Sequence, residues 1–312
     1  MLTAPAIKAK AIELGFDLCG IAPASDYPEL AFFREWLEQG YDGDMTYLRR
    51  SAERRTDVRN VIPSARSVIV TATIYNTDRP YSIECDDPAR AHIARYAWGD
   101  DYHDVIGERM ERLLAWIKEA SHSACGEPFE GRAYVDTGPV QERVYAQYAG
   151  IGWIGKNTCV INAEKGSWLF LAEIICNLQL ECDRPAFDQC GTCTLCIEAC
   201  PTKALVSPGV LDSNRCISYL TIEHRGDVPQ QFHEAIGTHV YGCDICQEVC
   251  PWNAQPPTSD DAAWQPRAAW DRVSVDQLAS QSDDELRTAM RGSPMKRTKL
   301  AGLRRNLAYA AK

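Results

Sequence analysis

No apolar run in the 312-residue chain is long enough to span a bilayer. The amino terminus, MLTAPAIKAKAIELG, has neither the apolar centre of a signal peptide nor a twin-arginine start. Membrane insertion and export are therefore not expected, and a cytoplasmic location is. Positive charge is also scarce. The formal net charge of −10 argues against a surface coated for nucleic acid. The scarcity is uneven, because eight of the 33 basic residues and none of the 43 acidic ones fall from Arg287 to the end. That basic tail is either a solvated helix face or a site for a polyanion. A long internal repeat is missing as well, and the length suggests about two domains.

The chain also lacks an intact nucleotide-binding motif, although AGIGWIGKNTCVI (149–161) comes close to two. Gly150, Gly152 and Gly155 satisfy G-x-G-x-x-G. Gly150, Gly155 and Lys156 fit a phosphate loop until Asn157 stands where Ser or Thr would give a hydroxyl to Mg²⁺. Both motifs need a strand before the glycines and a helix after them. The order here is reversed: PVQERVYAQYAG reads as a helix, with Pro139 suited to its first turn and Gly150 to its end, and TCVIN reads as a strand. The loop is expected to hold something other than a nucleotide.

Cysteine, by contrast, is abundant, with 14 in the chain. Disulfides do not persist in the cytosol, so metal ligation is the favoured reading. CGTCTLCIEACP places Cys190, Cys193, Cys196 and Cys200 in the C-x₂-C-x₂-C-x₃-C-P run of bacterial 4Fe–4S ferredoxins. CDICQEVCP gives a second partial run, Cys243, Cys246 and Cys250, with Cys216 upstream as its missing ligand. In two-cluster ferredoxins the fourth cysteine of each run ligates the other cluster. One cluster is therefore assigned to Cys190, Cys193, Cys196 and Cys250, the other to Cys200, Cys216, Cys243 and Cys246. Structural zinc favours two CxxC pairs or Cys/His mixtures and fits this spacing poorly. Cys182 reads as a spare, and Cys19, Cys85, Cys125, Cys159 and Cys176 as small buried hydrophobes or inert thiols.

Before the cysteines, helix and strand patterns alternate, which suggests an α/β layered core. SVIVTATIY (67–75) and GSWLFLAEIICNL (166–178) read as strands, and YHDVIGERMERLLAWIKEA as a helix with Ile106, Met110, Leu113, Leu114 and Ile117 on one face. RAYVD (132–136) is a further strand that ends on Asp136. Its position at the carboxyl end of a strand in an open α/β sheet makes Asp136 either a site residue or a cap for the next helix. PWNAQPPTSDDAAWQP reads as a surface linker and the tail from about Val275 as helical. Two clusters imply one-electron relay to an acceptor that no Rossmann motif announces.

VDTGPVQERVYAQYAGIGWIGKNTCVI, the two-cluster unit, RYAWGDDYHDVI and CISYLTIEHRG together resemble the epoxyqueuosine reductase family. The resemblance runs from LGFDLCGIAPA to SPMKRTKLAGLRRNLA. It implies an α/β (α+β) cobalamin-binding core (1–180), an inserted bacterial-ferredoxin-like unit with two 4Fe–4S clusters (181–255), and a linker with a short basic helical segment (256–312), where HEAT-like repeats begin in the family. It also implies the reaction: cob(I)alamin, fed by the clusters, reduces the epoxide of epoxyqueuosine at the tRNA wobble position, the last step of queuosine synthesis. Asp136 matches the family's proton donor, expected as a carboxyl of raised pKa, with Tyr102, His103 and Arg143 as further catalytic candidates. Arg59, Asp136, Trp153, Ile154, Gly155, Lys156, Asn157, Ser218, Tyr219 and Thr221 fall at the cobalamin, Lys156 and Asn157 toward its polar periphery. Lys296, Arg297, Lys299, Arg304 and Arg305 fall at the tRNA. DYHDVIG places Gly107 one residue too far for the motif of a His axial ligand, so base-off cobalamin is expected. The partners implied are tRNA and a ferredoxin- or flavodoxin-type donor to a monomer. A reductive dehalogenase-like enzyme, which shares the architecture, and an electron-transfer or corrinoid-reactivation protein are the alternatives.

Overall fold

The computed structural model describes residues 2–121 and 128–311; Cys125 and Lys312 lie outside the described residues. The strands are β1 (Leu18–Pro23), β2 (Ser67–Ile74), β3 (His92–Ile93), β4 (Gly131–Tyr134), β5 (Trp153–Ile154), β6 (Val160–Ile161), β7 (Leu169–Cys176), β8 (Leu205–Ser207), β9 (Val210–Leu211) and β10 (His239–Tyr241). Four of them form the central sheet in the order β1-β2-β7-β4, and every pairing in it is antiparallel. The alternation of helix and strand is present, but the open parallel sheet is not. The rule that puts ligands at carboxyl strand ends therefore does not apply to Asp136, which lies two residues beyond the edge strand β4.

All eight residues of β2 are buried, because both faces of the sheet are covered. Side chains alternate across it. Ile21, Ile69 and Ile174 point to one face, where the helices Ala4–Glu13 and Tyr102–Ser121 pack. Ala22, Val68, Val70, Ala72 and Ile175 point to the other, under the helices Pro28–Glu38 and Glu142–Tyr148. In the helix Tyr102–Ser121 the buried residues are Ile106, Met110, Leu113 and Ile117. Each contributes about 1.5–3 kcal/mol of burial. Gly20 is required where this last layer meets the sheet, since a Cβ there would lie 2.0 Å from Ala149 O.

The segment read as a surface linker is instead pinned. Trp264 is 2% exposed and packs against Phe170, Asp261 pairs with Arg109, and Asn76 Nδ2 donates to Pro257 O at 3.1 Å. An apolar anchor outweighed the Pro and Asp that signalled a loop. The carboxyl-terminal helices Val275–Ser280, Asp283–Met290 and Lys299–Ala310 bury Leu278, Leu286, Leu303 and Leu307 with Ile93, Ala97, Val240 and Tyr241. Among the described residues no helix is long and apolar enough to cross a membrane.

Candidate functional site

The near-motif at 149–161 is a helix end followed by a hairpin. The helix Glu142–Tyr148 stops at Gly150, whose φ of +72° favours glycine, and β5 then pairs antiparallel with β6. Pro139 lies before that helix, not in its first turn. The glycines serve the protein's own packing. A Cβ on Gly152 would meet Ile161 O at 2.3 Å, and one on Gly155 would meet Ile161 Cδ1 at 2.4 Å. Trp153 is buried, edge-on to Trp252 at 5.0 Å, and Ile154 is half-buried. At the hairpin tip, Lys156 Nζ donates to Gly191 O at 2.6 Å and Cys193 O at 2.8 Å, while Asn157 Nδ2 donates to Cys246 O at 3.0 Å. These two side chains are therefore spent on the cysteine loops, one on each, and not held out for a cofactor's periphery.

The cysteines of the 190–250 stretch fall into two neighbouring groups. Burial pushes the Cys196 thiol up to about 11, with Cys250, Cys190 and Cys193 adding to the shift. Burial also raises Cys216, with Cys200 beside it, and Cys243, with Cys216 beside it. Cys246 is raised by Cys159, by burial, and then by Cys243 and Cys216. Such mutual crowding of thiols disfavours their thiolates until a cation joins them. Among the described residues no three His, Cys, Asp or Glu side chains converge on a point suited to a single metal ion. Cys190, Cys193, Cys196 and Cys250 instead line a cavity of about 240 Å³ with Ile161 and Trp252, which fits a polynuclear centre better than a lone ion. Cys159 contacts Cys246, so it is not the isolated inert thiol expected; Cys19, pushed up to about 12 by burial, is.

Asp136 sits in a turn with φ +55°, a conformation uncommon for a residue with a side chain. It does not cap the following helix, whose N-cap is Gln141. Its backbone N–H donates to Glu142 Oε1 at 2.5 Å, and its carboxyl, 58% exposed, faces His103 Nε2 at 3.3 Å. His103 Nδ1 lies 2.8 Å from Asp101 Oδ1, and Asp101 Oδ2 also holds Lys296 Nζ at 2.6 Å. Tyr102 stacks on Phe170 at 4.5 Å and on His103 at 4.1 Å. Burial alone would raise Asp136, but the hydrogen bond and charge of His103 outweigh it, helped by Tyr102 and Arg143, and the carboxyl is held below its usual value. Burial alone would lower His103, but Asp101 and Asp136 overcome it and push the imidazole up to about 9. Contrary to the expected carboxyl of raised pKa, Asp136 is shifted down and His103 up, which favours the proton on His103 between two carboxylates.

Arg143 donates to Thr158 O at 3.1 Å and also acts on the Asp136 carboxyl, so it joins the hairpin tip to the acid group. Arg59 is tied to Asp57 and Asp26, away from these contacts. Ser218 Oγ accepts from Cys243 N at 3.1 Å, Tyr219 OH accepts from Asp44 N at 2.7 Å, and buried Thr221 accepts from Gly242 N at 2.8 Å. In the tail, Arg297 forks onto Glu223 at 2.7 and 3.0 Å. Arg304 pairs with Asp283 and donates to two carbonyls. Arg305 donates to Leu220 O, His224 O and Gly226 O. Arg304 and Arg305 are therefore structural staples, leaving Lys299 exposed and without an ion pair among the described residues. The sequence reading passed over Glu142, Tyr47, Arg55 and Glu173. Arg55 and Tyr47 lie within electrostatic reach of Asp136. Glu173 was visible as the one acid inside the apolar run GSWLFLAEIICNL.

A family model described as epoxyqueuosine reductase QueG matches residues 55–137, and one described as a 4Fe-4S double cluster binding domain matches residues 189–253. The chain is 45% identical to an epoxyqueuosine reductase of Gloeobacter violaceus over 97% of its own length and 94% of that protein's. It superposes with a TM-score of 0.85 on an epoxyqueuosine reductase solved with an epoxyqueuosine-modified tRNA-Tyr stem loop, at 31% identity over 98% of this chain and 80% of the other. A Bacillus subtilis relative, with a TM-score of 0.84 and 30% identity over 98% and 80% of the two chains, was solved with its catalytic loop swung out of the active site.

Proposed function

The chain belongs to the epoxyqueuosine reductase family, and we propose that the site around Asp136 is where it reduces the epoxide of epoxyqueuosine in tRNA to the alkene of queuosine. The reaction breaks both C–O bonds of the epoxide, takes up two electrons and two protons, and releases the oxygen as water. One observation carries the reading. The Asn157 contact to Cys246 and the Arg143 contact to Thr158 join a cysteine group to the acid group through one short hairpin.

In this reading the eight cysteines of residues 181–255 would hold two 4Fe–4S clusters, and residues 1–180 would hold the cobalamin. Arg143 and the hairpin tip it holds through Thr158 would meet the cofactor's rim. Trp153, Ile154, Lys156 and Asn157 brace that edge from behind, and Ser218, Tyr219 and Thr221 act through the backbone they pin. When bound, the cobalamin would supply a nucleophilic, low-potential metal centre. The protein's own part is protonation. His103 and Asp136 hold one proton between them and deliver it to the departing epoxide oxygen, with Tyr102 keeping the imidazole in plane. Arg143 and Arg55 offset the negative charge that develops. The turn bearing Asp136 is the part that swings, as in the Bacillus subtilis relative. A ferredoxin- or flavodoxin-type donor feeds a monomer in the cytoplasm, and Lys299 with its neighbours meets tRNA phosphate.

The test is anaerobic incubation of the reconstituted protein with tRNA carrying epoxyqueuosine, read by nucleoside mass spectrometry. Queuosine should form only when both iron and cobalamin are loaded. Unchanged substrate with fully loaded cofactors and a low-potential reductant would overturn the reading.

A further inference from the structure

Glu173 stands in the middle of β7, fully buried, opposite Val70 on one side and Tyr134 on the other. Among the described residues neither of its carboxyl oxygens has a hydrogen-bond donor. A lone buried carboxylate is among the costliest groups a core can hold, so such a group stays neutral or finds a partner. The strand's alternation settles which partner is available. Glu173 shares the face of Ile175, toward the helix Glu142–Tyr148, and the carboxyl it meets there is that of Glu142. Two carboxylates facing each other contain no donor, so neither can satisfy the other while both are ionised. A single proton between them supplies it.

Glu142 has a second task. Its Oε1 accepts the backbone N–H of Asp136 at 2.5 Å and so closes the turn in which Asp136 adopts φ +55°. A non-glycine residue persists in that region only where its surroundings hold it there. We propose that Glu142 and Glu173 share one proton, and that this pair is the latch that keeps the Asp136 turn in its working position. Glu173 is then a positioning residue that acts through Glu142. The latch rests on the reading of Asp136 as part of the acid pair for its significance, but not for its existence.

The surroundings agree. Burial and then the neighbouring Asp136 raise Glu142 above its ordinary value. Burial and then Glu142 raise Glu173 well above the carboxylate range, so the proton rests on Glu173 and is donated to Glu142. The other charged or titratable groups facing the pair are Asp136 and Tyr102, which favour the protonated form, and Arg55 and Arg143, which oppose it. Because the pair binds its proton more tightly folded than unfolded, the latch is intact at neutral pH and loosens only as pH rises well beyond the ordinary carboxylate range.

Hydrogen–deuterium exchange of the cluster-loaded protein, without substrate, follows the amides of residues 134–141 after correction for the intrinsic rate at each pH. In the wild type, protection should fall about tenfold or more between pH 6 and pH 9.5, as a charge-assisted hydrogen bond is lost. In Glu173→Gln the side-chain amide donates permanently to Glu142, so protection should persist at pH 9.5. Infrared spectra should show a protonated-carboxyl band in the wild type that disappears over the same pH range and is absent from Glu173→Gln. Exchange that is flat with pH in the wild type, or identical in Glu173→Gln, would overturn the latch. Should Glu173→Gln fold poorly, Glu142→Gln reports instead: its amide oxygen still accepts from Asp136, and the pH dependence should vanish. Failure of the acid reading appears elsewhere, in the turnover of Asp136→Asn, and leaves these exchange results untouched.

Discussion

His103 Nε2 lies 3.3 Å from Asp136 Oδ2, and the imidazole reaches that position because Asp101 holds its other nitrogen at 2.8 Å. An imidazole between two carboxylates keeps its proton far into the alkaline range. Asp101, buried and held below the usual carboxylate range by His103 and Lys296 against the effect of burial, keeps the ring oriented.

This pair sets the pH response. Its proton is held up to about pH 9, where His103 titrates. Single-turnover reduction should therefore be steady near neutrality and decline above about pH 9. The same shift bears on stability. The raised His103 pKa contributes stability that is fully present below its unfolded value of about 6.5 and is lost as pH rises through about 9. A rate that climbs between pH 8 and pH 10 would contradict the assignment.

Asp136→Asn keeps the shape of the side chain and removes its charge, so it both releases His103 and eliminates the proton path. Single-turnover rates should drop by about 10²- to 10⁴-fold, while iron content and cobalamin binding stay near wild type. His103→Gln should lose a comparable factor and, unlike Asp136→Asn, should flatten the alkaline limb of the pH profile. Normal turnover by the Asn variant with intact cofactors would remove Asp136 from the mechanism.

The crossed cysteine groups make a specific stoichiometric forecast. Anaerobic reconstitution should give about eight irons per chain, and Cys250→Ser should lose the same cluster as Cys193→Ser, although 57 positions separate them in the chain. Electron paramagnetic resonance of the two variants should show the same surviving signal. Two different surviving signals would reassign the ligands.

The tail separates into two kinds of basic residue. Arg305→Ala removes a guanidinium that serves three backbone carbonyls, which should destabilise the fold by about 1–3 kcal/mol in denaturant titration. Lys299→Glu should leave stability unchanged and weaken tRNA binding, reducing the log–log salt slope by about one. Equal slopes for wild type and Lys299→Glu would show that this lysine meets no phosphate.

The parts of the molecule legible in the sequence are those encoded by local spacing. The buried face of the helix Tyr102–Ser121 follows from residues three and four apart, β2 from a β-branched run, and the cysteine groups from a fixed ligand pattern. Strand direction was not legible, because an apolar run reads the same whichever way its neighbour points. Nor was the use of Arg305, whose partners Leu220 and Gly226 lie about 80 positions away, or of Lys156 and Asn157, whose partners are carbonyls and carry no side-chain signature. The misjudged acid group has the same origin. Nothing in the sequence told Asp136 that it would share a proton with His103, 33 residues earlier.

Lys156 and Asn157 are adjacent, yet each fastens a different cysteine loop. Their Cα atoms are about 3.8 Å apart, a length fixed by the peptide bond itself. The offset between the two cysteine groups is thus gauged against one rigid covalent unit, and that unit is held in register by the pairing of β5 with β6. Electron tunnelling decays exponentially with distance, so a drift that a flexible tether would allow translates into large swings in rate. Here the tolerance is that of a strand register, in which the smallest possible error is a whole residue and is excluded by turning Trp153 out of its buried seat.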